Sequence, residues 1–388
     1  GRAPEEIVPL ADFAEVSHRP APEWAVETTG LINAGNTCFL NATLQCLANS
    51  PTVLNWIDSD LKHELFIKRH GLVGDFFKTF EVCMRQMHRS RQEGSKALRP
   101  TPFTSNLTDI IKGHRDRAQE DAHEYVVNLL DKLQRMQLEA MKTVCELSKE
   151  WVRERFHWQL TSPIYHIFGG KIRSQVVCAG CGYNSNTYDP TTDLSLEIEG
   201  CDSLLEALDH FTSAEVLGSH NTYQCDKCKQ KTRASKRLTV HTLPNVLILH
   251  LKRFSFVQVF GGKIQRHISY PDELDMAPFL SSPERGNGNT RYSLFGVLVH
   301  KGGGVSSGHY FSYVQQPGTR DWHRKDDASS SPASHGEHLK QEAYLLFYTR
   351  RGPRTEPLHC GDEDPNQPTH TPKHLLLLRS PPSAPLRS

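Results

Sequence analysis

The chain has 388 residues, of which 37% are hydrophobic and 23% are charged, and its formal net charge is +1. A chain of this length can bury a large core without disulfides. Because the net charge is near zero, the chain lacks the overall positive charge that would attract nucleic acid, and it also lacks the acidic excess of a disordered, solvated chain. No apolar run reaches the roughly 20 residues that span a bilayer, and the ten cysteines show no disulfide framework. We expect a monomer in a reducing compartment, cytoplasmic or nuclear, with neither nucleic acid nor a membrane as a partner.

Hydrophobic periodicity divides the chain into a helical part and a strand-rich part. Residues 1–28 hold four prolines among mixed charges, which predicts a flexible leader. From Leu31 to about Leu160, apolar residues three and four apart predict a helical subdomain, with helices over 75–84, 102–111 and 121–141. Past Pro163, β-branched and aromatic runs bounded by glycine predict strands. These cover 164–168, 170–177, 192–198, 236–242, 246–254, 292–300, 310–315 and 344–349, with a short helix over 204–211 and a disordered tail over 351–388.

Cys38 is the first candidate for chemistry. Gly35 and Asn36 suit a tight turn, Thr37 suits a helix cap, and three leucines then recur at helical spacing, so Cys38 is predicted to begin a helix. Unpaired N–H groups and the positive end of the helix dipole favour a thiolate there, which predicts a lowered thiol pKa. Asn33 lies upstream of Cys38 at a spacing that lets its side-chain amide donate to an oxyanion formed beside the sulfur. The alternative is an inert cysteine buried at the start of an apolar helix.

Two Cys-x-x-Cys pairs form a candidate metal site. They are Cys178 with Cys181 and Cys225 with Cys228, and the spacing lets both sulfurs of each pair face one tetrahedral ion. Because 43 residues separate the pairs, the intervening strands are predicted to run outward and return as an arm pinned by Zn²⁺. Four sulfur ligands leave no open position for water, so this zinc is expected to be structural. Free thiols or a redox pair are the alternatives.

His309 is the candidate base. It follows a glycine-rich loop and opens a predicted strand, where a side chain can meet the helix start of a distant segment. Asp326 lies 17 residues further on, at a spacing that lets an antiparallel neighbour bring its carboxylate to the second imidazole nitrogen. With 21 histidines in the chain, an ordinary loop histidine is the alternative.

The segments around Cys38 and His309 resemble the two signature boxes of the ubiquitin-specific proteases. The first box reads Gly-Leu-Ile-Asn-Ala-Gly-Asn-Thr-Cys-Phe-Leu-Asn-Ala, and the second contains Gly-His-Tyr. Further matches are Gln-Glu-Asp-Ala-His-Glu-Tyr from Gln119, Phe-Gly-Gly from Phe168, Tyr-Asp-Pro from Tyr188, the strand over 247–254 and Ala-Tyr-Leu-Leu-Phe-Tyr from Ala343. The resemblance covers residues 29–350.

The resemblance implies a fold of the α+β class, the papain-like cysteine protease fold. Its parts would be a helical thumb over about 31–160, zinc-pinned β fingers over about 165–245 and a β palm over about 246–350. The implied activity is hydrolysis of the isopeptide or peptide bond after the C-terminal glycine of ubiquitin, with ubiquitin and ubiquitinated proteins as partners. The implied roles are Cys38 as nucleophile, His309 as general base, Asp326 as orienting acid and Asn33 as oxyanion donor. The four paired cysteines match the family's zinc ligands.

The same resemblance supplies candidates for substrate binding. These are Gln119, Asp121, Gly308 and Tyr310. Asp121 would read the basic residues that precede the terminal glycines of ubiquitin, although a helix cap is an equal alternative for this residue. The glycines before His309 would form one wall of a slot for the Gly-Gly tail, or else an ordinary hairpin loop.

The chain departs from the family pattern beside Asp326. His323 and Lys325 stand where the family usually has an aromatic and an apolar residue. A lysine at this position would draw the Asp326 carboxylate away from the imidazole, or it would point to the other side of the strand, since neighbouring side chains face opposite ways. Two functions follow: a working deubiquitinating protease, and a catalytically weak scaffold that binds ubiquitin. Retention of Cys38 and His309 favours the protease.

Overall fold

A computed structural model describes residues 8, 10–59, 76–144, 148, 159–218, 222–254, 262–281, 289–304 and 307–352. Within these residues the first part of the chain is helical, as predicted. The helices are α1 (Leu10–Ser17), α2 (Cys38–Ala48), α3 (Pro51–Asp58), α4 (Phe76–Gln92), α5 (Thr101–Thr104), α6 (Leu107–Ile110), α7 (Ala122–Val144), α8 (Pro163–Phe168) and α9 (Leu204–Thr212). No helix among the described residues is both long and apolar enough to cross a membrane.

Residues 164–168 belong to helix α8, so the strand predicted there is wrong. The hydroxyl of Ser162 accepts a hydrogen bond from the Tyr165 N–H at 3.2 Å, and Pro163 occupies the first turn. A serine cap followed by proline is a helix-start signal. It outweighs the β-branched and aromatic content of this short run.

A large sheet forms the centre of the second part. Its strands are β5 (Leu194–Glu197), β10 (Val246–Lys252), β11 (Glu273–Asp275), β12 (Arg291–Gly304), β13 (Ser307–Gln315), β14 (Trp322–Asp326), β15 (Ser329–Pro332) and β16 (Ala343–Arg350). They run in the order β15-β14-β13-β12-β16-β10-β5, with β11 paired to β12. All pairs are antiparallel except β10 with β5. The strands predicted within this sheet are confirmed.

A second sheet lies within the residues that were predicted to form the fingers. It has the order β4-β3-β9-β6, built from β3 (Gly170–Cys178), β4 (Asn184–Thr191), β6 (Ala214–Leu217) and β9 (Ala234–Thr242). Strand β4 is not among the predicted strands, because its polar sequence has no alternation of apolar and polar residues. It is a strand because it pairs with β3 along its whole length. Two short pairs complete the strands: β1 (Gly30–Leu31) with β2 (Ala97–Leu98), and β7 (Tyr223–Gln224) with β8 (Lys231–Thr232).

Strand β10 separates two hydrophobic cores. Val246 and Ile248 belong to the core that contains α2 and α7, whereas Leu247 and Leu249 belong to the core beneath α9. Both faces of the strand are therefore covered, which explains its continuous apolar run.

The prediction of a flexible leader is wrong for α1. Phe13 is fully buried, and its ring centroid lies 5.9 Å from that of Trp56 and 5.1 Å from that of His166. Phe13, Val16 and Ser17 form the buried face of this two-turn helix. The helix is too short for its pattern to stand out among the prolines. Residues 1–7 and 9, and residues 353–388 of the predicted tail, lie outside the described residues.

We predict that Phe13→Ala lowers the free energy of unfolding by about 3 kcal/mol, because truncation of a fully buried aromatic side chain leaves a cavity. Val82 is 51% exposed on α4, so Val82→Ala is the matched control, with a change of at most about 0.5 kcal/mol. Urea denaturation measures both. Equal, small effects from the two substitutions would contradict the docking of α1.

Candidate active site

The sulfur of Cys38 lies at the first residue of α2, where the sequence predicts a helix start. The residue is buried, with 3% of its surface exposed. The side-chain amide of Gln119 donates to Cys38 Sγ at 3.6 Å and to the carbonyl oxygen of Gly308 at 2.7 Å. Gln119 therefore links the start of α2 to the strand that carries His309.

The turn before Cys38 is stabilised by side chains rather than by a helix cap. Gly35 and Asn36 have positive φ angles of 108° and 54°, which confirms the tight turn. The side chain of Thr37 does not cap α2; its hydroxyl accepts from the Ala34 N–H at 2.9 Å. The carbonyl oxygen of the Asn33 side chain accepts from the backbone N–H groups of Gly35 and Thr37.

The predicted lowering of the Cys38 pKa is wrong for this structure. Burial raises the pKa of the Cys38 thiol above its usual value, and hydrogen bonds from the backbone of Tyr310 and the side chain of Gln119 oppose that shift only in part. A helix start with unpaired N–H groups is therefore not sufficient to ionise this thiol. A neighbouring base has to take the proton when the sulfur reacts.

His309 and Asp326 are hydrogen-bonded, as the strand spacing predicts. His309 Nε2 lies 2.6 Å from Asp326 Oδ1. The antiparallel pairing of β13 with β14, in which Ser312 lies opposite Lys325, brings the two residues together. Because Nε2 faces the carboxylate, Nδ1 is the nitrogen that is left for exchanging a proton with another group.

Asp327 faces a different set of partners from Asp326. Its carboxylate accepts from the side-chain amides of Asn33, at 2.9 Å, and Asn41, at 2.8 Å. Its carbonyl oxygen accepts from the Leu31 N–H at 2.7 Å. The amide of Asn33, predicted to be an oxyanion donor, is thus bonded to Asp327. Asn41, which the sequence did not single out, is a buried asparagine one turn after Cys38, and its polarity on an otherwise apolar helix is the signal that points to it.

Lys325 lies on the opposite face of β14 from Asp326. Its ammonium group donates to the Thr28 carbonyl oxygen at 2.6 Å and to Ser330 Oγ at 2.7 Å, and lies 3.3 Å from Glu27 Oε1. Only 1% of the Lys325 side chain is exposed. The possibility that Lys325 draws the Asp326 carboxylate away from the imidazole is therefore wrong.

Glu27 has two more basic neighbours. Its Oε2 lies 2.9 Å from Arg91 Nη2 and 3.7 Å from His323 Nε2. Burial acts to raise the pKa of Glu27, but the hydrogen bond from Ser330, the charge of Lys325 and the hydrogen bond from Arg91 lower it to about 2. Burial lowers the pKa of Lys325 to about 8. Glu27 is thus the counter-charge for Lys325, a role that no pattern in the leader predicts.

Apart from Gln119, the predicted substrate-binding residues occupy three kinds of position. Asp121 caps α7, since its Oδ1 accepts from the backbone N–H groups of His123 and Glu124, and its Oδ2 accepts from the Tyr344 hydroxyl. The side chain of Tyr310 is fully buried, so it lines no open slot. A Cβ added to Gly308 would lie 2.3 Å from His300 Nε2, which explains the glycine by close packing.

The two cysteine pairs meet in the fingers. Cys178 Sγ lies 3.9 Å from Cys228 Sγ, and Cys181 Sγ lies 3.6 Å from Cys225 Sγ. The four sulfurs all lie within 4.8 Å of one another. These residues therefore form a group that can hold one metal ion.

A model of the family described as ubiquitin carboxyl-terminal hydrolase matches residues 29–348. The chain therefore belongs to the ubiquitin carboxyl-terminal hydrolase family. It is 37% identical, over 354 residues, to the probable ubiquitin carboxyl-terminal hydrolase 16 of Schizosaccharomyces pombe, covering 89% of this chain and 72% of that protein. It is 39% identical to ubiquitin carboxyl-terminal hydrolase 23 of Arabidopsis thaliana, covering 83% of this chain and 35% of that protein.

Solved structures share the fold. The SAGA DUB module of Ubp8, Sgf11, Sus1 and Sgf73 bound to monoubiquitin contains a chain that is 28% identical, with a TM-score of 0.70, covering 89% of this chain and 74% of that one. The same module bound to ubiquitin aldehyde gives 28% identity and a TM-score of 0.69, covering 86% of this chain and 72% of that one. These likenesses and the mixed helices and sheets confirm the predicted α+β class.

We predict that Glu27→Gln destabilises the protein more than Lys325→Met does. Glu27→Gln leaves the Lys325 ammonium buried without its counter-charge and is expected to cost about 3 kcal/mol of stability. Lys325→Met removes the buried ammonium and leaves Glu27 with its ion pair to Arg91, so it is expected to cost about 1 kcal/mol or less. Neither substitution touches the Asp326 face, so kcat should stay near the wild-type value. Urea denaturation at pH 7 measures the stability of each variant.

The pH dependence follows from the lowered pKa of Lys325. Its folded-state pKa of about 8 lies below its ordinary value of 10.5, so the unfolded state binds more protons between these values and stability rises with pH in that window. The free energy of unfolding of the wild type should rise relative to Lys325→Met over this range. Parallel pH curves for the two proteins would contradict the burial of a charged Lys325.

Proposed function

We propose that this chain is a deubiquitinating cysteine protease that hydrolyses the bond after the C-terminal glycine of ubiquitin. The observation that carries the proposal is the His309–Asp326 hydrogen bond on strands that Gln119 links to the Cys38 thiol at the start of α2, within a chain of this family. The solved relatives bound to monoubiquitin and to ubiquitin aldehyde support ubiquitin as the substrate. Cytoplasmic or nuclear localisation stays a prediction.

The proposed reaction begins with a neutral thiol, because burial raises the pKa of Cys38. His309 takes the thiol proton as sulfur attacks the glycine carbonyl carbon, and a tetrahedral oxyanion forms. The imidazolium then gives its proton to the leaving amine, the C–N bond breaks, and a thioester remains on Cys38. His309 next takes a proton from water as the water oxygen attacks the thioester; the collapse releases the ubiquitin carboxylate and returns the thiol.

Two side-chain amides are available for the oxyanion in this proposal. Asn33 donates one amide hydrogen to Asp327 and has a second one to offer. Gln119 uses one amide hydrogen for the Gly308 carbonyl oxygen and directs the other towards Cys38 Sγ, so this second hydrogen would turn from the sulfur to the oxyanion. Donors that are fixed before the reaction stabilise the oxyanion without reorganisation.

The catalytically weak scaffold is the second function that the sequence allows. The feature that favoured it was Lys325 beside Asp326. The ammonium group instead bonds to Thr28, Ser330 and Glu27, and Asp326 keeps its hydrogen bond to His309. The protease is therefore the function that we propose.

We also propose that Cys178, Cys181, Cys225 and Cys228 hold one structural zinc ion. Four thiolates at this spacing suit tetrahedral zinc and leave no position for a reactive water. The ion would tie β3 to the β7–β8 pair and so stabilise the end of the fingers.

We predict that a ubiquitin probe with an electrophile at its C-terminus forms a covalent adduct with Cys38, because His309 supplies the base that the buried thiol needs. Cys38→Ser should abolish labelling. Cys201 lies in the other core, so Cys201→Ser is the control and should label at the wild-type rate. Mass spectrometry locates the adduct, and an adduct on Cys46 or Cys83 would refute the assignment.

Metal analysis tests the zinc site separately. We expect one zinc per purified chain, and we expect Cys228→Ser to lose the metal while Cys201→Ser retains it. Because the closed site contributes folding energy, chelation should increase hydrogen exchange in β3, β4 and β9 before it does so in α2 or α7. A metal-free protein whose melting is unchanged by chelation would argue against the site.

A further inference from the structure

The carboxylate of Asp326 has two partners, one for each oxygen. Oδ1 accepts from His309 Nε2 at 2.6 Å, and Oδ2 accepts from Arg324 Nη2 at 2.5 Å. Asp326 is only partly exposed, with 27% of its side chain accessible. A carboxylate held at both oxygens cannot rotate without breaking one of these charge-assisted hydrogen bonds.

The guanidinium group of Arg324 is itself held in place by an aromatic ring. Its central carbon lies 4.6 Å from the ring centroid of Phe311. Phe311 is buried, with 4% of its surface exposed, and its ring stacks with that of His309 at a centroid distance of 6.3 Å. One buried ring thus contacts both partners of Asp326, and the cation–π contact restricts the arginine to this side of the strand.

Strand geometry accounts for this arrangement. Tyr313 lies opposite Arg324 in the pairing of β13 with β14. His309 and Phe311 are two residues apart on β13, and Arg324 and Asp326 are two residues apart on β14, so all four side chains occupy one face of the sheet. Other titratable groups near this face are Glu337, which accepts from the Tyr313 hydroxyl at 2.7 Å, Lys301, which lies opposite His309 on β12, and His300. Asp327 is bonded elsewhere, to Asn33 and Asn41.

We propose that Arg324 is a positioning residue for the proposed reaction, acting through Asp326: it fixes the carboxylate so that Oδ1 meets His309, and it shares the carboxylate's charge. Arginine stays charged at all relevant pH values and its planar fork suits this bond. With both of its oxygens held, the carboxylate keeps the imidazole of His309 oriented through Nε2, which leaves Nδ1 for the proposed reaction.

The test is an NMR measurement of the His309 Nε2–H proton in the substrate-free enzyme at fixed pH, with His309→Gln to assign the signal. Arg324→Met keeps an apolar contact with Phe311 but frees the Asp326 carboxylate to rotate, so the signal of the hydrogen-bonded Nε2–H proton should move upfield and broaden through faster exchange with water. Arg324→Lys keeps a charged donor and should leave the signal near that of the wild type. Arg320, an exposed arginine in the turn before β14, supplies the matched control Arg320→Met, which should move nothing.

Cleavage of a fluorogenic ubiquitin substrate gives the second readout. Arg324→Met should lower kcat by about tenfold through loss of positioning, with KM within about twofold of the wild type. In an Asp326→Asn background, Arg324→Met should have no further effect on the His309 Nε2–H signal. A signal unchanged by Arg324→Met would overturn the proposal, as would an effect confined to KM. Because the NMR measurement needs no substrate, failure of the proposed ubiquitin hydrolysis would not obscure the result.

Discussion

The hydrogen bond between His309 and Asp326 depends on the register of two antiparallel strands. With Ser312 opposite Lys325, β14 presents Asp326 to the imidazole and Lys325 to the reverse face. A slip of one residue would exchange every side chain between the two faces. A lysine would then face His309, and an aspartate would be buried beside Glu27. The register is therefore the constraint on which the site depends.

The turn after β14 anchors that register to the helix that carries Cys38. Asp327 accepts hydrogen bonds from Asn33, before the helix, and from Asn41, within it, while its carbonyl oxygen accepts from the Leu31 N–H. The two adjacent aspartates thus have separate tasks: one orients the imidazole, and the other joins the sheet to the first residues of α2. A single short strand end connects both halves of the proposed catalytic machinery.

The segment before Cys38 belongs to the same folded unit. Phe13 fills the helical core, and Glu27 neutralises the cations on the reverse face of β14. A buried ion pair gives little net stability, but removal of one partner leaves an uncompensated charge. The described part of the leader therefore influences β14 through burial and charge.

The buried thiol assigns the activation of sulfur to His309. Desolvation raises the pKa of Cys38 more than the nearby hydrogen-bond donors lower it. In the proposed reaction the thiol therefore starts in its protonated form, and it depends on His309, which is hydrogen-bonded to Asp326, to take the proton. Gln119, bonded to both Cys38 and Gly308, holds the helix start and the histidine strand together.

The sequence by itself determined the helical and strand-rich parts, the helix start at Cys38, the two cysteine pairs and the spacing of His309 from Asp326, because each is encoded within a short stretch of chain. Tertiary structure alone decided the direction in which the pKa of Cys38 is shifted, since that shift depends on how deeply the thiol is buried. It also decided the partners of Lys325. The alternation of side chains along β14 predicts that Lys325 and Asp326 face opposite ways, but it does not reveal that Glu27, about 300 positions earlier, lies next to Lys325. The helix α1 and the strand β4 likewise form because distant residues cover or pair with them, and no local pattern contains that information.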